Sequence, residues 1–151
     1  MSDMPPDAAL GDERLALISE SYRRLTGKIL IDPCDPLALW NAKRAIVAHG
    51  TEDDPVFFYG NRLALQFFEM SFEEFAHLPS RFSAEPVAQP VRAALLEKVA
   101  KQGFIDGYSG VRIASSGERF TIADGTVWNL VDAAGVYHGQ AATFIVQSQT
   151  A

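Results

Sequence analysis

Leu15, Ile18, Tyr22 and Leu25 recur at spacings of three, four and three, one stripe of an amphipathic helix. Asp12 suits an N-cap and Gly27 a C-cap, so the pattern predicts a helix over 12–27, preceded by a loose tail of about ten residues. "DPCDP" (32–36) is a turn, and Asp35 followed by Pro36 starts a short second helix through Trp40 to about Lys43. The period then changes. "AIVAH" (45–49) and "VFFYG" (56–60) read as strands joined by "GTEDDP". Asn61 caps a helix carrying Leu63, Leu65, Phe67 and Phe68. "SFEE" (71–74) is a capping box opening one more short helix. "PSRFSAEP" is a loop bounded by Pro79 and Pro86. A longer helix follows Pro90, with Val91, Leu95 and Val99 at four-residue steps and Gly103 as its stop.

The last third is strand and turn. "FIDGYSGVRIA", "ERFTIADGTVWNLV" and "VYHGQAATFIV" are separated by the tight turns "SSG" (115–117) and "DAAG" (132–135). Phe120, Ile122, Trp128 and Leu130 share one parity, which puts them on one face unless a bulge at Asp124-Gly125 breaks the register. Two early strands cannot make a stable sheet alone and must join the later three. The expected fold class is α+β: a five-stranded antiparallel sheet with short helices over one face and an N-terminal helical extension. Residues 1–44 form the tail and extension, and 45–151 the domain proper.

Composition narrows the function classes. Hydrophobic residues make up 48% and charged residues 21%, too apolar for a disordered chain. Thirteen Lys and Arg against nineteen Asp and Glu give a net charge of −6, which argues against nucleic acid as a partner. One cysteine, Cys34, rules out a disulfide within the chain and suits a reducing compartment. No apolar run approaches a membrane span, and the acidic N-terminus lacks the order of a signal peptide, so the expected location is cytoplasmic with no membrane partner.

Candidate chemistry is sparse. His49, Glu52, Asp53 and Asp54 bring imidazole and carboxylates together, but their spacing fits no metal motif, and the acids read as turn residues; no metal site is expected. His49 is left at a strand end where it orients against one of these acids or serves a small enzyme as acid–base group. "GYSGV" (107–111) misses the nucleophile-elbow spacing, and the glycines form no phosphate loop. The aromatic set, Phe57, Phe58, Tyr59, Phe67, Phe68, Phe72, Phe75, Phe82, Tyr108, Phe120 and Trp128, is large for one domain. Most of it must be core, yet a sheet concave toward short helices leaves room for a pocket. Arg81 and Arg112 offer guanidinium forks to an anionic ligand group, or else ion-pair on the surface. Tyr108, Asn61 and Gln140 are weaker candidates. The helical stripe over 15–25 pairs with its copy in a second chain, giving a homodimer, or covers an open sheet face.

"YGNRLALQFFEMSFEEF", "GVRIASSGERFTI" and "VDAAGVYHGQAATFIV" together resemble the PAS fold of small sensory domains. Within that group, the stretches 48–86, 102–120 and 126–144 are similar to the MEKHLA family, a PAS-like domain that stands alone in bacteria and ends some plant homeodomain–leucine zipper regulators. The resemblance implies a sensory or ligand-binding role without a reaction. Flavin-binding light-oxygen-voltage domains carry "N-C-R-F-L-Q" where this chain has "P-S-R-F-S-A". Arg81 and Phe82 match, but Ser80 stands at the adduct cysteine, and Arg112 and Ile122 lie near the positions of flavin-contacting asparagines. A flavin is therefore not expected, and the cofactor is unassigned. The expectation is a sensor of a small molecule or of redox state with His49, Ser80, Arg81, Phe82, Tyr108, Arg112 and Trp128 as ligand-binding residues. With no output domain in the chain, it signals to a partner protein. The alternatives are the His49 enzyme and a pure interaction module.

Overall fold

The computed structural model describes residues 5–85 and 89–147. Pro86, expected to end the loop that begins at Pro79, lies outside them, as do the first four residues of the expected tail.

Among the described residues the helices and strands follow in order: α1 Ala8–Gly11, α2 Leu15–Thr26, α3 Pro36–Trp40, β1 Ala45–His49, β2 Phe57–Gly60, α4 Arg62–Phe68, α5 Phe72–Phe75, then, after a 3-10 turn Ser80–Ser83, α6 Gln89–Gln102, β3 Phe104–Ile113 and β4 Arg119–Val131. β5 Tyr137–Val146 closes a five-stranded sheet of order β2-β1-β5-β4-β3, every neighbouring pair antiparallel. The α+β class expected from the sequence is the one observed.

Local chemistry accounts for several element ends. Asn61 accepts from Ala64 N (3.1 Å) at the start of α4, and fully buried it also accepts from Ile46 N (3.0 Å) and donates to Leu39 O and Arg44 O. It is thus both a helix cap and a rivet between β1, α3 and α4. Ser71 and Glu74 form the reciprocal capping box on α5. Gly27, in the left-handed conformation, ends α2. α2 begins three residues later than expected, because the Asp12 carboxylate is taken up by the backbone and guanidinium of Arg14. The expected loose tail instead contains α1, whose Ala9 is fully buried.

The strand register divides the core in two. β4 shifts register between Ala123 and Thr126, where Asp124 adopts a positive φ of 51°. Before that bulge Phe120 and Ile122 pack with Phe57, Phe68, Phe75 and Phe144 under α4 and α5. Beyond it Trp128 and Leu130 turn to the opposite face and pack with Leu15 and Ile18 of α2. Trp128 Nε1 donates to Ile18 O (3.1 Å), and Tyr22 meets the Trp128 ring edge-on at 4.9 Å. Ser21 Oγ donates to Val131 O and accepts from Val131 N. The stripe of α2 therefore covers the sheet of its own chain, the second of the two expected uses. Burying side chains of this kind is worth about 1.5–3 kcal/mol each.

Candidate functional site

β1, β5 and the bulged β4 present Val47, His49, Gln140, Ala142, Ile122 and Val127 toward α6, and a cavity of about 50 Å³ remains between them. α6 closes it with Arg92, Leu95 and Leu96, and β3 contributes Tyr108 and Arg112. The face that α6 buries differs from the one expected. Val91 is 71% exposed, while Arg92 is only 9% exposed and Val99 fully buried. The true inner stripe, Arg92, Leu95, Leu96 and Val99, follows spacings of three, one and three. Four-residue steps from Val91 drift around the helix instead.

A directed chain of hydrogen bonds runs along this wall. Gln140 Nε2 donates to Leu96 O (2.9 Å) and to Asn129 Oδ1 (3.2 Å), so its Oε1 is left to accept. His49 Nε2 lies 3.1 Å from that oxygen and must carry the proton, which makes Nδ1 the acceptor for the Ser80 hydroxyl at 3.2 Å. Asn129 Nδ2 in turn donates to Ala100 O. Ser80, His49, Gln140 and Asn129 are all buried. The chain begins at the 3-10 turn and ends on two backbone carbonyls of α6. Burial first, and the charge of Arg92 second, hold the His49 pKa down to about 4 against the opposing pulls of the Gln140 hydrogen bond and Glu52. His49 is thus a neutral link at physiological pH. A Cβ on Gly139 would collide with the His49 carbonyl oxygen, so a glycine there lets β5 come close enough to set Gln140 against His49.

The two arginines carry the cavity's charge. Arg112 donates to the Tyr108 hydroxyl (2.8 Å) and to Val111 O. Arg92 makes no hydrogen bond or ion pair with the described residues. Among the described residues no Asp or Glu lines the cavity.

The expected site residues separate into four groups. His49, Tyr108 and Arg112 line the cavity. Ser80 is drawn in behind His49. Arg81 and Phe82 point outward: Arg81 pairs with Asp54, its guanidinium stacks on Phe82, and Phe82 is 48% exposed. Trp128 lies across the sheet against α2, because the β4 bulge reverses its face. His49 does not orient against the turn acids either, since its ring turns inward to Ser80 and Gln140. Arg92 and Asn129 are additions that sequence reading missed. Among the described residues no group of three His, Cys, Asp or Glu side chains is placed to hold a metal ion, and no helix is long and apolar enough to cross a membrane.

This sheet order, with helices packed against the sheet, is the PAS fold. It is similar to a light-oxygen-voltage domain studied with a flavin analogue, at 18% identity and a TM-score of 0.62, covering 76% of this chain and 84% of that one. It is also similar to a PAS domain from Colwellia psychrerythraea (14% identity, TM-score 0.64, covering 74% and 92%). A third similar structure is the PAS domain, in complex with ethanol, of a LuxR-family transcriptional regulator from Burkholderia thailandensis (15%, TM-score 0.58, covering 75% and 96%). A comparison with curated proteins finds no match. The profile of the MEKHLA domain matches residues 12–148, and the chain belongs to that family. The matched region takes in α2 as well as the sheet.

The cavity residues do not fit a flavin. About 50 Å³ is far below the several hundred Å³ typical of pockets for molecules of drug size. Arg112 and Ile122 occupy the wall, and the Ser80 hydroxyl is committed to His49.

Proposed function

We propose that this domain is a sensor that takes a small molecule into the cavity between sheet and α6 and reports its presence by repacking α6. The observation that carries the reading is the buried chain Ser80–His49–Gln140–Asn129, which borders the cavity and terminates on the backbone of α6. A molecule that displaces Leu96 or Arg92 strains the Gln140–Leu96 bond, so occupancy and helix position are linked. A protein partner reads the change from the outer face of α6, where Val91 is exposed. The PAS domain solved with ethanol is consistent with small guests in this fold. No reaction is assigned: His49 is neutral and hydrogen-bonded on both ring nitrogens, which suits a structural link better than an acid–base group. A homodimer through α2 is the alternative use of that stripe, and the burial of Leu15 and Ile18 against the sheet of their own chain favours the intramolecular one.

Native mass spectrometry of freshly purified protein, with an absorbance spectrum, tests the reading. A retained small molecule, and altered amide exchange in α6 after its removal, are expected. Finding neither a retained guest nor any added metabolite that changes α6 exchange would discard the sensor reading in favour of a pure interaction module.

A further inference from the structure

Arg92 on α6 and Arg112 on β3 come from separate elements, yet both line one cavity and each is 9% exposed. Two donors of Arg112 are engaged, by a phenol and a backbone carbonyl, neither of them an anion. Arg92 has no hydrogen-bonding or ionic partner among the described residues. His49, the remaining basic group on the wall, is neutral and offsets nothing. Buried charge without a counter-charge is costly, and two like charges facing one space add repulsion. The strain registers on Arg92, whose basicity is lowered to about 10, first by burial and then by Arg112, with Tyr108 opposing.

We propose that the molecule sensed in this cavity is an anion, a small carboxylate on a short apolar body, clamped between Arg92 and Arg112. The proposal rests on the reading of the cavity as a ligand site. A carboxylate presents two coplanar oxygens to guanidinium forks, and the Tyr108 hydroxyl beside Arg112 adds a further polar contact. Much of the remaining wall is hydrocarbon, from Leu95, Leu96, Ile122 and Phe144, interrupted by the side chains of His49, Gln140, Ser83 and Thr143. A phosphate would press its remaining oxygens against that wall, whereas a carboxylate turns its apolar end toward it. The cavity of about 50 Å³ holds only a few water-sized groups, so the guest is small or α6 moves to admit it. Neutralising the pair removes the repulsion that opposes close approach of α6 to β3, which gives the ligand its leverage on the helix.

The test is thermal shift and titration calorimetry on the full chain with sodium butyrate and sodium benzoate as probes. Butanamide and benzamide serve as uncharged counterparts and sodium phosphate as a rival anion, at constant ionic strength. The carboxylates should bind and raise the melting temperature, and the amides should not. Arg92→Met should weaken butyrate binding at least tenfold while raising the melting temperature of the ligand-free protein, because an unpaired buried charge is removed. Arg112→Met should show the same loss of affinity and stands in if Arg92→Met does not fold. Amides binding as well as carboxylates would overturn the anion proposal and leave the cavity reading standing. Phosphate binding more tightly than either carboxylate would overturn the carboxylate class. No binding by any probe, alongside an uncharged molecule retained in native mass spectrometry, removes this proposal alone. No binding and no retained molecule remove both.

Discussion

His49 and Gln140 sit opposite each other in the β1–β5 ladder and share a hydrogen bond of 3.1 Å from Nε2 to Oε1. Its direction is dictated from outside the pair. The Leu96 carbonyl can only accept, so it claims the Gln140 amide nitrogen and turns the amide oxygen to His49. The position of α6 thus decides which ring nitrogen of a buried histidine carries the proton.

The first prediction concerns pH. His49 titrates near 4 in the folded chain against 6.5 for an unperturbed imidazole. A depressed folded pKa means that the neutral form is favoured by folding. That contribution is fully present above about pH 6.5 and is lost as pH falls toward 4. At about 1.4 kcal/mol per unit it amounts to about 3 kcal/mol. The groups acting on the ring are Ser80, Gln140, Arg92 and Glu52. Urea denaturation of wild type and His49→Gln across pH 4–7.5 checks it. The variant should be less stable at pH 7.5, and the gap should shrink on acidification, whereas a gap independent of pH would mean that the imidazole titrates normally in the fold.

Gly139 makes the second prediction. Gly139→Ala forces a methyl group into the His49 carbonyl at a backbone φ of 127°, so steric and conformational strain add. A loss of about 2–4 kcal/mol is expected, with faster amide exchange concentrated in β1 and β5. Gly135→Ala, at a turn with open space around it but a φ of 85°, carries only the conformational part and should cost about 1 kcal/mol. Equal costs at both positions, measured by calorimetry, would show that β1 and β5 are not held this closely.

These positions also show where sequence reading succeeds and where it stops. Strand limits, the Asn61 cap, the Ser71–Glu74 box and the bulge after Ile122 are local features, and each is legible because its chemistry is complete within a few residues. Arg92 was missed for the opposite reason. A hydrophobic stripe is read by what is apolar, and a buried arginine is invisible to that pattern even though Leu95, Leu96 and Val99 complete its face. Trp128 failed because parity carries through a strand only as far as its first bulge, so its face was decided by Asp124 four residues earlier. The chain from Ser80 to Asn129 spans three strands and a helix, and no spacing in the sequence encodes it.

Asn61 and Ser71 make a matched pair for the third prediction. Both cap short helices, but Asn61 is fully buried and serves Ile46 N, Ala64 N, Leu39 O and Arg44 O, while the bonds of Ser71 are exposed. Ser71→Ala should cost about 1 kcal/mol, the ordinary worth of an N-cap. Asn61→Ala also strands buried backbone groups and should cost about 3–5 kcal/mol. Denaturant midpoints of the two variants decide the matter, and near-equal losses would mean that water replaces the Asn61 contacts.

The last prediction separates the two uses open to the α2 stripe. Ile18 is fully buried against the sheet, and its backbone oxygen holds the Trp128 indole. Ile18→Ala leaves a cavity beneath the helix and should cost about 2–4 kcal/mol. Because both partners belong to one chain, the unfolding midpoint of wild type and variant should not change with protein concentration. A stripe shared between two copies behaves differently: mass action makes the midpoint climb as the protein is concentrated, and the variant dissociates before it unfolds. Unfolding followed over a hundredfold concentration range, with mass from light scattering, distinguishes the cases. A concentration-dependent midpoint abolished by Ile18→Ala would return α2 to the role of a dimer interface.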